Sequence, residues 1–362
     1  MTVKALQVHA GPRALKRLRE QGLQAQDVRA IPAAAGGPKG LVLNPLDQFI
    51  FGDWLAAAAR PVHLIGASIG AWRMATACLP QPAQAFARMA DDYIRQEYEH
   101  KSGKPPTPTH VSQVFNARLT EHFVGHEDEV LNHPRFRLHV FTSRGRHLLR
   151  REGRRLSRVT TPLGYLGAFA ANVISRKAMG AWLERVIFSD PREPLPLRTH
   201  DYRTHMVSLN AGNLQASILA SCSIPFLLDA VHDIPDAPHG VYWDGGITDY
   251  HLHLNYASMD DGLVLYPHFQ KTVIPGWLDK ALKHRHRASA HLDNVVVVSP
   301  NAEWIKTLPN AKLPDRHDFK HYGPDGAGRM AAWARAVSES QRLRDEFEAL
   351  VRSDRPIEAQ AL

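Results

Sequence analysis

Ten residues, Val62-His63-Leu64-Ile65-Gly66-Ala67-Ser68-Ile69-Gly70-Ala71, constrain this chain more than any other stretch. A short apolar run ends in Gly-x-Ser-x-Gly and passes into a helix-like segment at 72–78. That is the strand–turn–helix context in which a serine is held on a sharp, strained bend. Such a bend needs small neighbours, which Gly66, Ala67, Gly70 and Ala71 supply. Ser68 then projects its hydroxyl from the turn, and the N–H groups of the following helix face any negative charge formed there. The pentapeptide alone fits equally well an ordinary glycine-rich turn with a serine N-cap.

A second unit of the same kind precedes it. Residues 28–34 are short and apolar and lead into Ala35-Gly36-Gly37-Pro38-Lys39-Gly40, after which 41–59 reads as one long helix. Two consecutive strand–turn–helix units point to a parallel sheet covered by helices. The expected fold class is therefore α/β, a three-layer α/β/α sandwich with a mainly parallel central sheet. With 362 residues and 44% hydrophobic content, the chain can bury a large core. No convincing linker divides it. The expectation is one domain over 1–362, with a helical and basic insertion at about 144–200 and a C-terminal helix at about 326–351.

Further helices are expected at 12–20, 84–99, 111–124 and 213–221, and strands at 136–142, 262–267 and 295–300. Residues 101–109 read as an exposed Lys/Pro/Thr-rich connector. Residues 163–188 are the least polar long segment, with Tyr165, Leu166, Phe169, Val173, Trp182 and Leu183 placed to share one helical face. Residues 277–287 mix Trp277, Leu278 and Leu282 with Lys280, Lys283, Arg285 and Arg287, the pattern of a surface helix suited to a membrane interface.

The net charge is +8. It permits attraction to anionic lipid, nucleic acid or acidic substrates and selects none of them. Residues 144–158 carry Arg144, Arg146, Arg150, Arg151, Arg154, Arg155 and Arg158, read as a solvated loop or hairpin or as a patch for phosphate headgroups or nucleic acid. No aromatic-rich basic strand pair or zinc spacing supports nucleic-acid recognition, so no nucleic acid is expected. Cys78 and Cys222 sit among apolar or small residues and read as buried thiols. The 21 histidines form no metal-ligand pair at helical spacing, so no metal and no cofactor are expected. Neither a signal-like N-terminus nor a bilayer-length apolar run is seen, which makes a cytoplasmic protein, with peripheral contact to anionic membrane, the expectation.

A serine hydroxyl is a poor nucleophile without a base in hydrogen-bond reach and donors for the developing oxyanion. Gly36 and Gly37, in a turn between strand and helix, offer backbone N–H groups with no Cβ in the way. The loop is not a phosphate-binding Walker sequence, because the spacing before Lys39 is too short. Tyr242-Trp243-Asp244-Gly245-Gly246 lies 176 residues beyond Ser68 and reads either as a simple Asp-Gly turn or as a carboxylate held forward by its glycines.

Taken in order, Gly36-Gly37-Pro38-Lys39-Gly40, Gly66-Ala67-Ser68-Ile69-Gly70, Ala220-Ser221-Cys222-Ser223-Ile224-Pro225 and Asp244-Gly245-Gly246 resemble the motifs of the patatin-like phospholipase family, over about residues 28–249. The resemblance implies a serine–aspartate dyad. Ser68 is then the nucleophile and Asp244 the base that contacts it directly. Gly36 and Gly37 give the oxyanion-hole donors, with help from the N–H of Ile69. Lys39 matches the family's basic loop position. The implied substrate is a lipid or other carboxylic ester, cleaved through an acyl-enzyme. Ala35 stands where the family usually has glycine, and Asp249-Tyr250-His251 where it often has Asn-x-Pro. Two alternatives stay open on the sequence: a Ser-His-Asp triad using His268, His291, His317 or His321, and an inert hydrolase fold that binds anionic membranes or nucleic acid.

Overall fold

The computed structural model describes residues 3–98, 105–150, 157–199, 201–353 and 355–362. Its centre is one sheet of 11 strands among the described residues. In chain order these are β1 (Leu6–Ala10), β2 (Val28–Ala33), β3 (Val62–Ala67), β4 (Phe136–Gly145), β5 (Leu183–Ser189) and β6 (Thr204–Ser208). They continue with β7 (Val231–His232), β8 (Val241–Asp244), β9 (Leu263–Pro267), β10 (Val295–Pro300) and β11 (Gln360–Ala361). The order across the sheet is β11-β1-β10-β9-β2-β3-β4-β5-β6, with β8 on β4 and β7 on β8. The middle run β10-β9-β2-β3-β4 is parallel throughout.

Because both faces of that run are buried, its strands are nearly continuous apolar sequences rather than alternating ones. Successive residues still point to opposite faces. Leu64, Leu265, Val296 and Val298 pack into one core cluster, whereas Ile65, Val264, Val295 and Val297 pack into another. Long helices cover the first face, including Pro12–Gln21, Asn44–Gly52, Ile69–Ala77, Pro82–Ile94 and Leu214–Cys222. The second face is covered by Tyr250, Leu252, Tyr256, Phe269, Val273 and their neighbours, on short turns and loops. The helix Ser157–Ile174 packs beside this layer through Tyr165 and Ala168, against Trp243, Ile247 and Leu278. The fold class is the α/β/α sandwich expected.

Several elements differ from the sequence reading for identifiable reasons. The segment 41–59 is not one helix but a 3-10 turn (Gly37–Leu43), a helix (Asn44–Gly52) and a second 3-10 turn (Trp54–Ala57). Pro45 lies in the first turn of that helix, the one place where its missing N–H costs nothing. The apolar stretch 163–188 does not share one helical face. Its chain leaves the helices Ser157–Ile174 and Arg176–Met179 at Gly180 and enters β5, buried on both faces. The span 144–200 therefore contains a strand of the main sheet, β5 between β4 and the edge strand β6, as well as helices. Residues 277–287 form two 3-10 turns, Trp277–Ala281 and Lys283–His286, instead of a surface helix. The C-terminal segment is two helices, Gly326–Glu339 and Gln341–Val351, parted at Ser340. Strands β1, β5, β6, β7, β8 and β11 lie outside the stretches whose pattern predicts a strand.

In the arginine run, Arg144 lies in β4, and both Arg144 and Arg146 bind the buried carboxylate of Glu184. Arg151, Arg154 and Arg155 lie outside the described residues, as does part of the connector at 101–109. Cys78 and Cys222 are buried free thiols.

Candidate active site

Strand β4 is the template on which the site is assembled. Along one edge it pairs with β3, Ala67 lying opposite Phe141. Its other edge is taken by β5 from His139 to Gly145. Where β3 ends, β8 takes over the first edge in the opposite direction, with Asp244 opposite Thr142. The carboxyl ends of β3 and β8 thus abut on neighbouring residues of one strand. Ser68 is the first residue past β3, and Asp244 is the last residue of β8. Their meeting is a consequence of register. The Ser68 hydroxyl donates to Asp244 Oδ2 at 2.6 Å.

The bend at Ser68 is strained as its context requires: φ is 56° and ψ −131°. The glycines around it are there for close approach. A Cβ at Gly66 would lie 2.4 Å from Ala71 Cα, and one at Gly70 only 1.9 Å from the Ala33 carbonyl oxygen. The helix Ile69–Ala77 is fixed from below by Arg73, which forms a bidentate buried pair with Asp47 at 2.8 Å for both bonds.

Ser221 ties the two strand ends together. Its hydroxyl accepts from the Ser68 N–H at 2.9 Å and donates to the Phe141 carbonyl at 2.6 Å. The Gly245 N–H donates to the Ser221 carbonyl, and the Asp244 N–H to that of Ser223. The sequence contained this residue within the Ala220-Ser221 motif, but only the structure shows what it holds. A Cβ at Gly245 would meet the Phe141 carbonyl oxygen at 2.0 Å, so this glycine too is set by packing.

Asp244 is 6% exposed and Ser68 3%. Burial raises the Asp244 carboxyl to about 6; the Ser68 hydrogen bond, the Arg316 guanidinium and the Gly246 N–H, which donates to Oδ1 at 2.7 Å, hold it from rising further. Behind the two glycines, Asp249 accepts from Arg185 Nε at 2.7 Å and from the Tyr202 hydroxyl at 3.0 Å, all three groups being buried. The departure at Asp249 from the resembled pattern thus has a structural partner of its own.

Two clefts open at Ser68. One, of about 470 Å³, is walled by apolar side chains that include Tyr93, Val111, Phe115, Ile224 and Leu228. The other, of about 580 Å³, contains Asp244, Lys39, Lys280, Arg316 and Tyr250. Gly37 lines the first and Gly36 the second. Gly36 sits flat against Phe269, whose ring would be 2.4 Å from a Cβ, and Gly37 has φ 56°. Ala35 fills the space next to Gly246 and donates its N–H to the Tyr250 carbonyl at 2.9 Å.

None of His268, His291, His317 and His321 is hydrogen-bonded to Ser68 among the described residues. His317 lines the polar cleft, and His268 is buried against the Gln270 carbonyl. In the sequence Lys280 is only one of several basic residues over 277–287, and Arg316 belongs to no motif; what distinguishes them is where the fold brings them.

No match to a curated protein was found. Residues 48–251, more than half of the chain, match the family model described as Patatin-like phospholipase. That span begins after the early glycine loop and takes in Ser68, Ser221 and Asp244. On that match, the chain belongs to the patatin-like phospholipase family.

Proposed function

We propose that this protein is a serine acyl hydrolase of lipid or other carboxylic esters, with Ser68 as nucleophile and Asp244 as its base. Family membership carries the general statement, a hydrolase acting on lipid acyl esters. The dyad rests on one observation above all, the 2.6 Å hydrogen bond between Ser68 Oγ and Asp244 Oδ2 at the abutting strand ends. A carboxyl near 6 is roughly nine-tenths ionised at neutral pH, yet basic enough to take a proton.

In this reading Ser68 Oγ attacks the ester carbonyl carbon while its proton passes to Asp244. The N–H groups of Gly36 and Gly37, assisted by Ile69, hold the oxyanion; removing one such donor costs about 100- to 1000-fold in rate. Collapse expels the alcohol, which takes the proton from Asp244. Water then attacks the acyl-enzyme, gives a proton to Asp244 and releases the acid, and that proton returns to Ser68. The apolar cleft suits the acyl chain, being within the size range of small-molecule sites.

Peripheral contact with a lipid surface is part of the same reading. Phe226 and Trp277 line the clefts and are 58% and 51% exposed. Leu166 (63%) and Leu163 stand exposed on the helix whose Pro162 and Tyr165 line the polar cleft. Among the described residues, no helix is long and apolar enough to cross a membrane.

Ser68→Ala and Asp244→Ala should each abolish hydrolysis of p-nitrophenyl butyrate while thermal unfolding stays cooperative. A fluorophosphonate should label the wild type at Ser68. Turnover that survives in Ser68→Ala refutes the assignment. Absent labelling with intact vesicle binding favours the inert, membrane-binding alternative.

A further inference from the structure

The helix Ser157–Ile174 has its polarity reversed. Its buried side chains include Asn172, which donates to Asp279 Oδ1 at 2.8 Å, and Thr161. Every exposed side chain from 159 to 174 is apolar, and five are large: Val159, Leu163, Leu166, Val173 and Ile174, the last 80% exposed. At 3.6 residues per turn those five fall within about 100° of the helix circumference, and at 1.5 Å rise their stripe runs about 22 Å. A helix that faces water carries the opposite pattern, with its polar side chains outward.

The stripe is not isolated. Phe226 packs on Tyr165 of the same helix, with 5.9 Å between ring centroids. Trp277 and Leu148 stand exposed on the 3-10 turns Trp277–Ala281 and His147–Arg150, both of which pack against the helix. Most of the large apolar side chains exposed among the described residues thus gather in one patch, and contiguous apolar surface of this kind marks a binding face.

The charges around the patch have one sign. From Val159 to Ile174 the helix carries none. On the short elements around it Arg150, Lys177, Lys280, Lys283 and Arg287 are exposed. The turn Lys283–His286 is tied to the helix end by Arg285, which donates to the Val173 carbonyl at 3.2 Å. The one carboxylate on these elements, Asp279, is buried and taken by Arg176 at 2.7 Å and Arg285 at 2.9 Å as well as by Asn172. A second copy docked on this face would set cations against cations. An anionic bilayer meets both features, since its acyl chains take an apolar stripe about 5–10 Å deep while its headgroups take the rim of cations. The polar cleft opens on the same face, because Pro162, Tyr165, Phe226 and Trp277 line it.

We infer that the helix Ser157–Ile174 lies flat in the headgroup–acyl boundary of an anionic bilayer, anchored by the cations of its rim, so that the mouth of the Ser68 cleft is held against the lipid surface. This rests on the acyl-hydrolase reading of Ser68 for what the docking serves, and adds to it the docking element, its orientation and the charge of the surface.

The test uses Ser68→Ala, so that the lipid stays intact, and follows its flotation with vesicles of phosphatidylcholine, alone or with about one-third phosphatidylglycerol. Partition onto the anionic vesicles should exceed that onto the neutral ones by about tenfold or more and should fall as salt is raised. Leu166→Ser with Ile174→Ser should lower it about 30-fold, and Lys283→Gln with Arg287→Gln about tenfold. Val124→Ser, which removes a comparably exposed apolar side chain away from the patch, should leave it unchanged. Placed in the wild type, the same substitutions should leave hydrolysis of p-nitrophenyl butyrate, a soluble ester, unchanged, which separates lost docking from a damaged fold. No binding to the anionic vesicles, equal binding to both kinds, or binding that the helix substitutions leave intact overturns the proposal. A dimer in light scattering that Leu166→Ser with Ile174→Ser turns into a monomer, with no vesicle binding, assigns the face to a second copy and overturns it too. Docking of Ser68→Ala beside a wild type that turns over no ester would keep the docking helix and fault the hydrolase reading; turnover of p-nitrophenyl butyrate without docking would do the reverse.

Discussion

Replacing Asp244 by asparagine should make the protein more stable and inactive at once, and the size of the gain can be worked from the site. In the unfolded chain this carboxyl ionises near its ordinary value of 3.8; in the folded protein burial raises it to about 6. Between those two values the native state holds a proton that the unfolded state has released. The native state binds more protons there, so stability falls as pH rises through the interval. At about 1.36 kcal/mol per unit, the full cost is about 3 kcal/mol above pH ~7 and nothing below pH ~4. Asparagine cannot ionise. Its carbonyl can take the Gly246 N–H, as Asp244 Oδ1 does at 2.7 Å, and its amide can donate to Ser68 Oγ. Urea unfolding of the wild type and Asp244→Asn at pH 4, 6 and 8 should therefore show midpoints that coincide at pH 4 and separate progressively, the variant being the more stable at pH 8, with m unchanged. Ester hydrolysis should fall by about 1000-fold or more. A gap independent of pH, or a variant less stable at pH 8, would refute the claim that a buried, ionised carboxylate is held at a cost for catalysis.

Two further outcomes follow from the supports of the dyad. Ser221→Ala leaves the buried Ser68 N–H and Phe141 carbonyl without their partner, so it should destabilise by about 1–3 kcal/mol and lower kcat about tenfold or more while changing KM little; a variant with wild-type kcat would show that Ser221 does not position the bend. Asp249→Asn removes one half of the buried Arg185–Asp249 pair and should cost about 3–5 kcal/mol in chemical denaturation. A loss below about 1 kcal/mol would mean that Asp201, at 2.7 Å from Arg185, compensates on its own.

What could be read from the chain were the features whose physics is local. Gly66 and Gly70 flank a serine because backbone and Cβ cannot share the space, and that demand is written in adjacent letters. The Val295–Pro300 run is apolar without alternation because both of its faces are covered, and a short continuous run already suggests a buried strand. A single helix over 41–59 does not form, because Pro45 lacks the N–H a helix interior needs and so can only start a helix. The joined helices of the C-terminal segment failed more quietly, at Ser340, which ends one helix through its own backbone bonds and begins the next.

By itself the sequence determined the bend at Ser68, the glycine turn before it and the parallel core, since each is fixed by the steric and hydrophobic demands of neighbouring residues. Strand β8 is four residues long and Asp244 sits in a common turn dipeptide, so nothing local could separate it from any other Asp-Gly. Only the fold, by running β3 and β8 head to head along β4, decided that this carboxylate meets that hydroxyl, and only the fold gathered Lys39, Lys280 and Arg316 into one cleft. The reason is distance along the chain: pairing register and cleft walls are set by contacts between residues far apart in sequence, and such contacts exist only once the sheet has closed.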